Sequence, residues 1–193
     1  MKNLISELSV SAVATISLAV IVCGIYPLVV WGVAQTLFPE KANGSIIVRD
    51  GKTIGSELLA QNFTGANYFH PRPSAAGDVG YDATSSGGSN LGPTSKKMID
   101  SVRERVEAYR TENKLPSTVP VPADAVTASA SGLDPHISVK NALIQASRVA
   151  KVRGISEQAI LAKLQAHTEG RTLGILGEPR VNVLTLNLSL DAR

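Results

Sequence analysis

Three residues have the side-chain types that acyl transfer needs: Ser74 as nucleophile, His136 as base and Asp134 to orient it. Asp134 and His136 stand two apart across Pro135, and no Gly-x-Ser-x-Gly elbow surrounds any serine. A hydrolase built on these three is therefore one expectation, resting on residue types alone. A second chemistry is anion binding. Ser86-Gly87-Gly88-Ser89-Asn90 sets backbone N–H groups and hydroxyls close together, as an anion nest for a nucleotide's phosphates requires. The same glycines serve a tight turn equally well. No Gly-x-x-x-x-Gly-Lys-Ser/Thr loop is present, and no Asp-Lys-Thr-Gly-Thr to carry an aspartyl phosphate. Metal chemistry is poorly supplied. His70, His136 and His167 are isolated, and the single Cys23 excludes a cysteine zinc site and an internal disulfide.

These groups need elements to hold them. The chain has 193 residues, 44% apolar and 18% charged, which excludes a disordered tail. Nineteen basic and sixteen acidic residues leave a formal charge of +3, with no basic run. With three Phe, four Tyr and one Trp, a base-stacking surface is not expected, so nucleic acid is not an expected partner.

Between Glu7 and Glu40 the only titratable side chains are Cys23 and Tyr26. After a short tail (residues 1–9), residues 10–38 read as one transmembrane helix, longer than the ~20 apolar residues a bilayer requires. Pro27 predicts a kink, and Tyr26 and Trp31 are interface anchors. A cleaved signal has an apolar region of about 7–15 residues, so an uncleaved anchor is the better fit. Ser11, Thr15, Ala19 and Cys23 recur every four residues and offer a small-residue face for a partner helix. Lys2 on one side and Lys41, Arg49 and Lys52 on the other leave orientation undecided by charge.

Residues 40–193 form the remaining domain, with an expected α/β (α+β) fold. Ser45–Ile54 reads as a hairpin turning at Asp50-Gly51, followed by a short helix over Ser56–Gln61. Tyr68–Pro93 is loop. Thr94 caps a helix carrying Met98, Val102, Val106 and Tyr109, and Leu115–Pro122 is an extended linker. Val126–Ser138 is irregular. Ser138 and Ser156 cap two helices separated by Gly154. Leu184, Leu186, Leu188 and Leu190 alternate with polar residues, which predicts a half-buried strand.

In order, Tyr68-Phe69-x-x-Arg72-Pro73-Ser74-Ala75, Ser86-Gly87-Gly88-Ser89-Asn90-Leu91-Gly92-Pro93, Val121-Pro122 through Ser129, Gly132-Leu133-Asp134-Pro135-His136-Ile137-Ser138, Arg148-Val149-Ala150-x-x-Arg153-Gly154 and Glu178-Pro179-Arg180-Val181-Asn182-Val183-Leu184-x-Leu186-Asn187 follow the single span. This set resembles the KdpC family, small subunits of the Kdp-type, high-affinity, ATP-driven potassium-transporting ATPase. Ala130 stands where the family pattern leads one to expect glycine. The resemblance implies a non-catalytic, single-pass subunit of an inner-membrane complex, its domain outside the cytoplasm and its span among lipids. The implied partners are a potassium-channel-like subunit, a P-type ATPase subunit and a small single-helix subunit. The implied role is assembly together with a catalytic-chaperone effect that raises ATP affinity, K+ being the transported ion. A domain outside lies ~30 Å of hydrocarbon from cytoplasmic ATP. The effect is then expected to be relayed as a coupling free energy. Asp78, Asp82 and Asp134 are expected to bias the local potential near the potassium entrance.

Overall fold

The computed structural model describes residues 2–192, which fall into two compact units, one ending at Ile54 and the other beginning at Gly55.

The first unit is dominated by a helical run: α1 (Lys2–Ala19), a π segment (Val20–Ile25) and α2 (Tyr26–Leu37). Asn3–Leu37, 35 residues, is long and apolar enough to cross a membrane, and none of its most apolar stretch is buried within the chain. At ~1.5 Å per residue it exceeds the ~30 Å of a hydrocarbon core. The π segment has a local cause. Pro27 has no N–H, and its ring crowds the preceding turn of an α-helix. Shifting to i→i+5 pairing, with Tyr26 N–H donating to the Ile21 carbonyl, reroutes the ladder just before the proline. After the one-turn α3 (Pro39–Ala42) come β1 (Ile46–Arg49) and β2 (Lys52–Ser56). Asp50 and Gly51 between them sit at φ +51° and +73°, as a tight hairpin turn requires.

The second unit is an α+β domain, as the sequence predicts. Its helices are α4 (Lys96–Asn113), the one-turn α5 (Ala123–Val126), α6 (Val139–Arg153), α7 (Glu157–Ala166) and α8 (Val183–Asp191). A three-stranded antiparallel sheet of order β3-β5-β4 is built from β3 (His136–Ser138), β4 (Thr168–Glu169) and β5 (Arg180–Asn182). The register pairs Ile137 with Val181 and Thr168 with Val181. Ala142, Ala146 and Ala150 on one face of α6 let α7 pack close. Phe69, Ile137, Val149, Ile160, Leu164, Val181, Val183 and Leu186 complete the core.

The hairpin and the Ser138, Gly154 and Ser156 caps stand where the sequence placed them; Ser138 and Ser156 accept from Asn141 and Ala159 N–H, and Gly154 is left-handed. Four expectations need correction. Residues 184–190 are helical. The buried set is Val183, Leu184, Leu186 and Asn187, two pairs three residues apart as on a helix face, and Asn182 caps the helix by accepting from Thr185 N–H at 3.2 Å. The leucine alternation concealed Asn187, a polar residue that belongs to the core. The helix expected over Ser56–Gln61 is absent: Ser56 ends β2 and residues 57–59 turn, because Ala60 N–H leaves for the Leu133 carbonyl at 2.9 Å instead of continuing a helix. Ser95, not Thr94, caps α4 by accepting from Met98 N–H. The run read as irregular ends in a strand, β3, formed because β5 supplies its partner.

Candidate functional site

The longest irregular stretch, residues 57–95, lies partly within the core, so its backbone polar groups need partners that no sheet supplies. Side chains supply them. Asn187 on α8 accepts from Phe69 N–H at 2.9 Å and donates to the Phe69 carbonyl at 2.9 Å. Gln145 on α6 does the same one residue on, accepting from His70 N–H at 2.7 Å and donating to its carbonyl at 3.2 Å. Arg148 donates to the carbonyls of Ala66 and Tyr68, and Arg153 to that of Asn67. The Arg153 guanidinium also lies over the Tyr68 ring, 5.0 Å from its centroid. One face of α6 thereby grips 66–70 as a neighbouring strand would.

A cleft of about 490 Å³ opens beside this clamp, lined among others by Phe63, His70, Tyr81, Arg105, Tyr109 and Glu112. His70 Nδ1 faces Glu112 at 2.9 Å, and its Nε2 faces the Gly65 carbonyl at 3.0 Å. The His70 hydrogen bond, with the Arg148 charge, holds the Glu112 carboxyl below its ordinary range against the effect of burial. Burial pushes the Tyr109 phenol up, so it stays a donor, giving its proton to Asn141 Oδ1 at 2.8 Å. Burial lifts Tyr81 to about 12, and its hydroxyl donates to the Arg72 carbonyl at 2.8 Å. Within this lining His70 pairs with Glu112 and Tyr109 with Asn141, while Tyr81 and Arg105 donate to the carbonyls of Arg72 and Val126.

The three residues of the hydrolase reading do separate work. Ser74 donates to the Gly132 carbonyl at 2.6 Å and accepts from Tyr81 and Ala76 N–H, so its proton goes to a carbonyl, not to an imidazole. Asp134 pairs with Arg72 at 3.0 Å and accepts from His136 N–H at 3.0 Å. Burial works to raise the Asp134 carboxyl, but the hydrogen bonds from His136 and Arg72 outweigh it and hold the group at about 2. His136 lies between carboxylates, Nδ1 3.4 Å from Asp134 and Nε2 3.6 Å from Glu169. This is a bracing chain across β3, β4 and the loop, with no activated nucleophile in it.

The Ser86–Asn90 segment is braced too. Gly87 N–H and the Ser86 hydroxyl both donate to the Ser131 carbonyl, at 2.9 and 3.0 Å. A Cβ on Gly88 would stand 2.8 Å from the Ala130 carbonyl, and one on Gly132 2.6 Å from that of Gly87. Close approach of two backbone segments therefore accounts for both glycines. Ser89 and Asn90 are exposed. Ala130 lies outside the left-handed region, so its methyl causes no strain there. Of the three acids, Asp134 is compensated by Arg72, while Asp78 is exposed.

In the helical run, Ser11, Thr15, Ala19 and Cys23 are all exposed. An i,i+4 row drifts ~40° per step on an α-helix. The wider π turn rotates less per residue, so it brings Cys23 back toward the row set by the first three.

A family model described as the K+-transporting ATPase, c chain (KdpC) matches residues 8–192. The chain belongs to the KdpC family. The potassium-transporting ATPase KdpC subunit of Nitratidesulfovibrio vulgaris is 54% identical over 182 residues, covering 94% of this chain and 92% of that one. That of Rhodospirillum rubrum is 59% identical over 169 residues, 87% and 86%, and that of Koribacter versatilis 51% over 190, 98% and 94%. A KdpC chain is an accessory part of a potassium-transporting ATPase, and the missing phosphorylation and P-loop motifs agree with that place. Sequence reasoning missed Gln145 and Asn187 as clamps. Their signal was an amide at a core position of an otherwise apolar helix face.

Proposed function

We propose that this chain is a single-pass subunit of the inner-membrane Kdp pump, with its domain on the extracytoplasmic side, and that it assembles and stabilises a complex whose ATPase subunit does the chemistry. The observation that carries this is the pairing of an uncovered 35-residue apolar helix with a domain whose Ser, His and Asp side chains are engaged by its own fold. Ser11, Thr15, Ala19 and Cys23 form the helix face that meets a partner helix. The channel-like and ATP-hydrolysing subunits are the partners, with a small single-helix subunit as a further neighbour.

The chain raises the ATP affinity of the hydrolysing subunit by binding one pump state more tightly than another, and the coupling between sites is reciprocal. Gly87 N–H, already given to Ser131, favours this indirect route over direct contact between ATP and the Ser86–Asn90 segment. The test is isolation of the tagged full chain from membranes, combined with thiol labelling of single cysteines in the domain from each side. The expected result is co-isolation with two polytopic subunits and labelling only from outside. A chain that isolates alone, or labels only from the cytoplasm, contradicts the proposal.

A further inference from the structure

Residues 170–179 connect β4 to β5 as a projecting finger. Two ion pairs close its stem: Arg180 Nε to Glu169 at 2.9 Å, and Arg171 bidentate to Glu178, both contacts at 2.7 Å. Beyond them Thr172 and Leu176 exchange both backbone hydrogen bonds at 2.9 Å, which fixes the tip. Gly174 and Gly177 each sit at φ +77°, and Leu173 at φ +55°. A bulky side chain in the left-handed region is a genuine outlier, and such strain concentrates where a surface is used. The strain displays apolar surface: Leu173 is 85% exposed, Ile175 73% and Leu176 57%. Among the described residues of this unit, no other run of five carries three exposed large aliphatic side chains.

We infer that this finger plugs into an aliphatic socket on the extracytoplasmic face of a membrane-embedded subunit of the pump. The inference rests on the assembly role proposed above. Charge selects the occupant. Both arginines and both glutamates of the finger are paired with each other, which leaves a neutral, rigid, aliphatic tip suited to a dry protein pocket. A lipid surface would call for free basic side chains and for Trp or Tyr, and the finger has neither. The preformed tip lowers the ordering cost of docking.

The experiment uses the full chain co-expressed with the other pump subunits. A benzophenone amino acid at position 173 is expected to give an adduct with one polytopic subunit. Leu173→Gly is expected to leave the urea midpoint of the chain unchanged or higher, since glycine tolerates φ +55°. It should raise the rate of dissociation from the immobilised pump at least ~10-fold, the scale for losing one buried leucine. Ile175→Asp should do the same. An adduct with lipid alone or with a second copy of this chain overturns the inference, as do unchanged dissociation rates in both variants. If the wild-type chain fails to co-isolate at all, the assembly role fails and the finger falls with it. If the wild type co-isolates but the variants dissociate no faster, only the finger is refuted.

Discussion

Asp134→Asn tests the bracing chain directly. The carboxylate lies at about 2, below the ordinary 3.8, because His136 and Arg72 stabilise its charged form despite burial. That gap corresponds to about 2.4 kcal/mol of folding free energy at neutral pH. The side chain is 31% exposed, so solvent screening reduces this to about 1.5–2 kcal/mol. Asn retains an oxygen for the His136 N–H, so the loss is mainly that of charge. Because the folded-state value is depressed, the contribution is complete above the ordinary 3.8 and disappears as pH falls through about 2. About half of it should be gone by pH 3. The assay is urea unfolding of the full chain in detergent, followed by near-UV circular dichroism of its tyrosines, at pH 7, 4 and 3. The expected result is a lower midpoint for the variant at pH 7 and a difference that narrows toward pH 3. Equal midpoints at pH 7, or a difference that widens in acid, would refute the account of the Arg72–Asp134–His136 brace.

Gly132→Ala should cost about 3 kcal/mol, since its Cβ would meet Ala76 N at 2.7 Å as well as the Gly87 carbonyl at φ +69°; Gly92→Ala, with nothing within 4 Å, should stay within about 0.5 kcal/mol, by the same unfolding assay. Asn187→Leu keeps the branched shape but orphans both polar groups of Phe69, and hydrogen exchange at residues 68–70 should accelerate with a loss of about 2–5 kcal/mol. Ala19→Leu should lower co-isolation with the pump about tenfold while Leu18→Ala, on another face of the helix, leaves it unchanged, as read by pull-down from detergent extracts.

How much of this was legible depends on the kind of signal. Caps were legible because their causes are local: the Ser138 and Ser156 hydroxyls accept from N–H groups three residues on, and Gly154 takes the left-handed conformation that ends a helix. The Asp50-Gly51 turn was legible for the same local reason. The helix at 183–191 was not. Alternating leucines imitate a strand, and the Asn187 that restores the helical period is buried only because it bonds Phe69, 118 residues away in sequence. Gln145 hides likewise, since an amide on a helix face reads as solvent-exposed until the loop it clamps is in place. Ser74 and Ser86–Asn90 suggested chemistry because hydroxyls and glycines serve turns and active sites alike. Only the Gly132 and Ser131 carbonyls reveal which use is in force. The π turn was half legible: Pro27 announces a disturbance, but not that the ladder absorbs it by re-pairing.

The most direct measurement is ATP-dependent, potassium-stimulated hydrolysis by the reconstituted pump with and without this chain, with a photoreactive ATP analogue present. Adding the chain is predicted to lower the ATP concentration for half-saturation while the label goes entirely to the hydrolysing subunit. Label on residues 86–90 of this chain, or a half-saturation indifferent to its presence, would contradict an indirect, non-catalytic role.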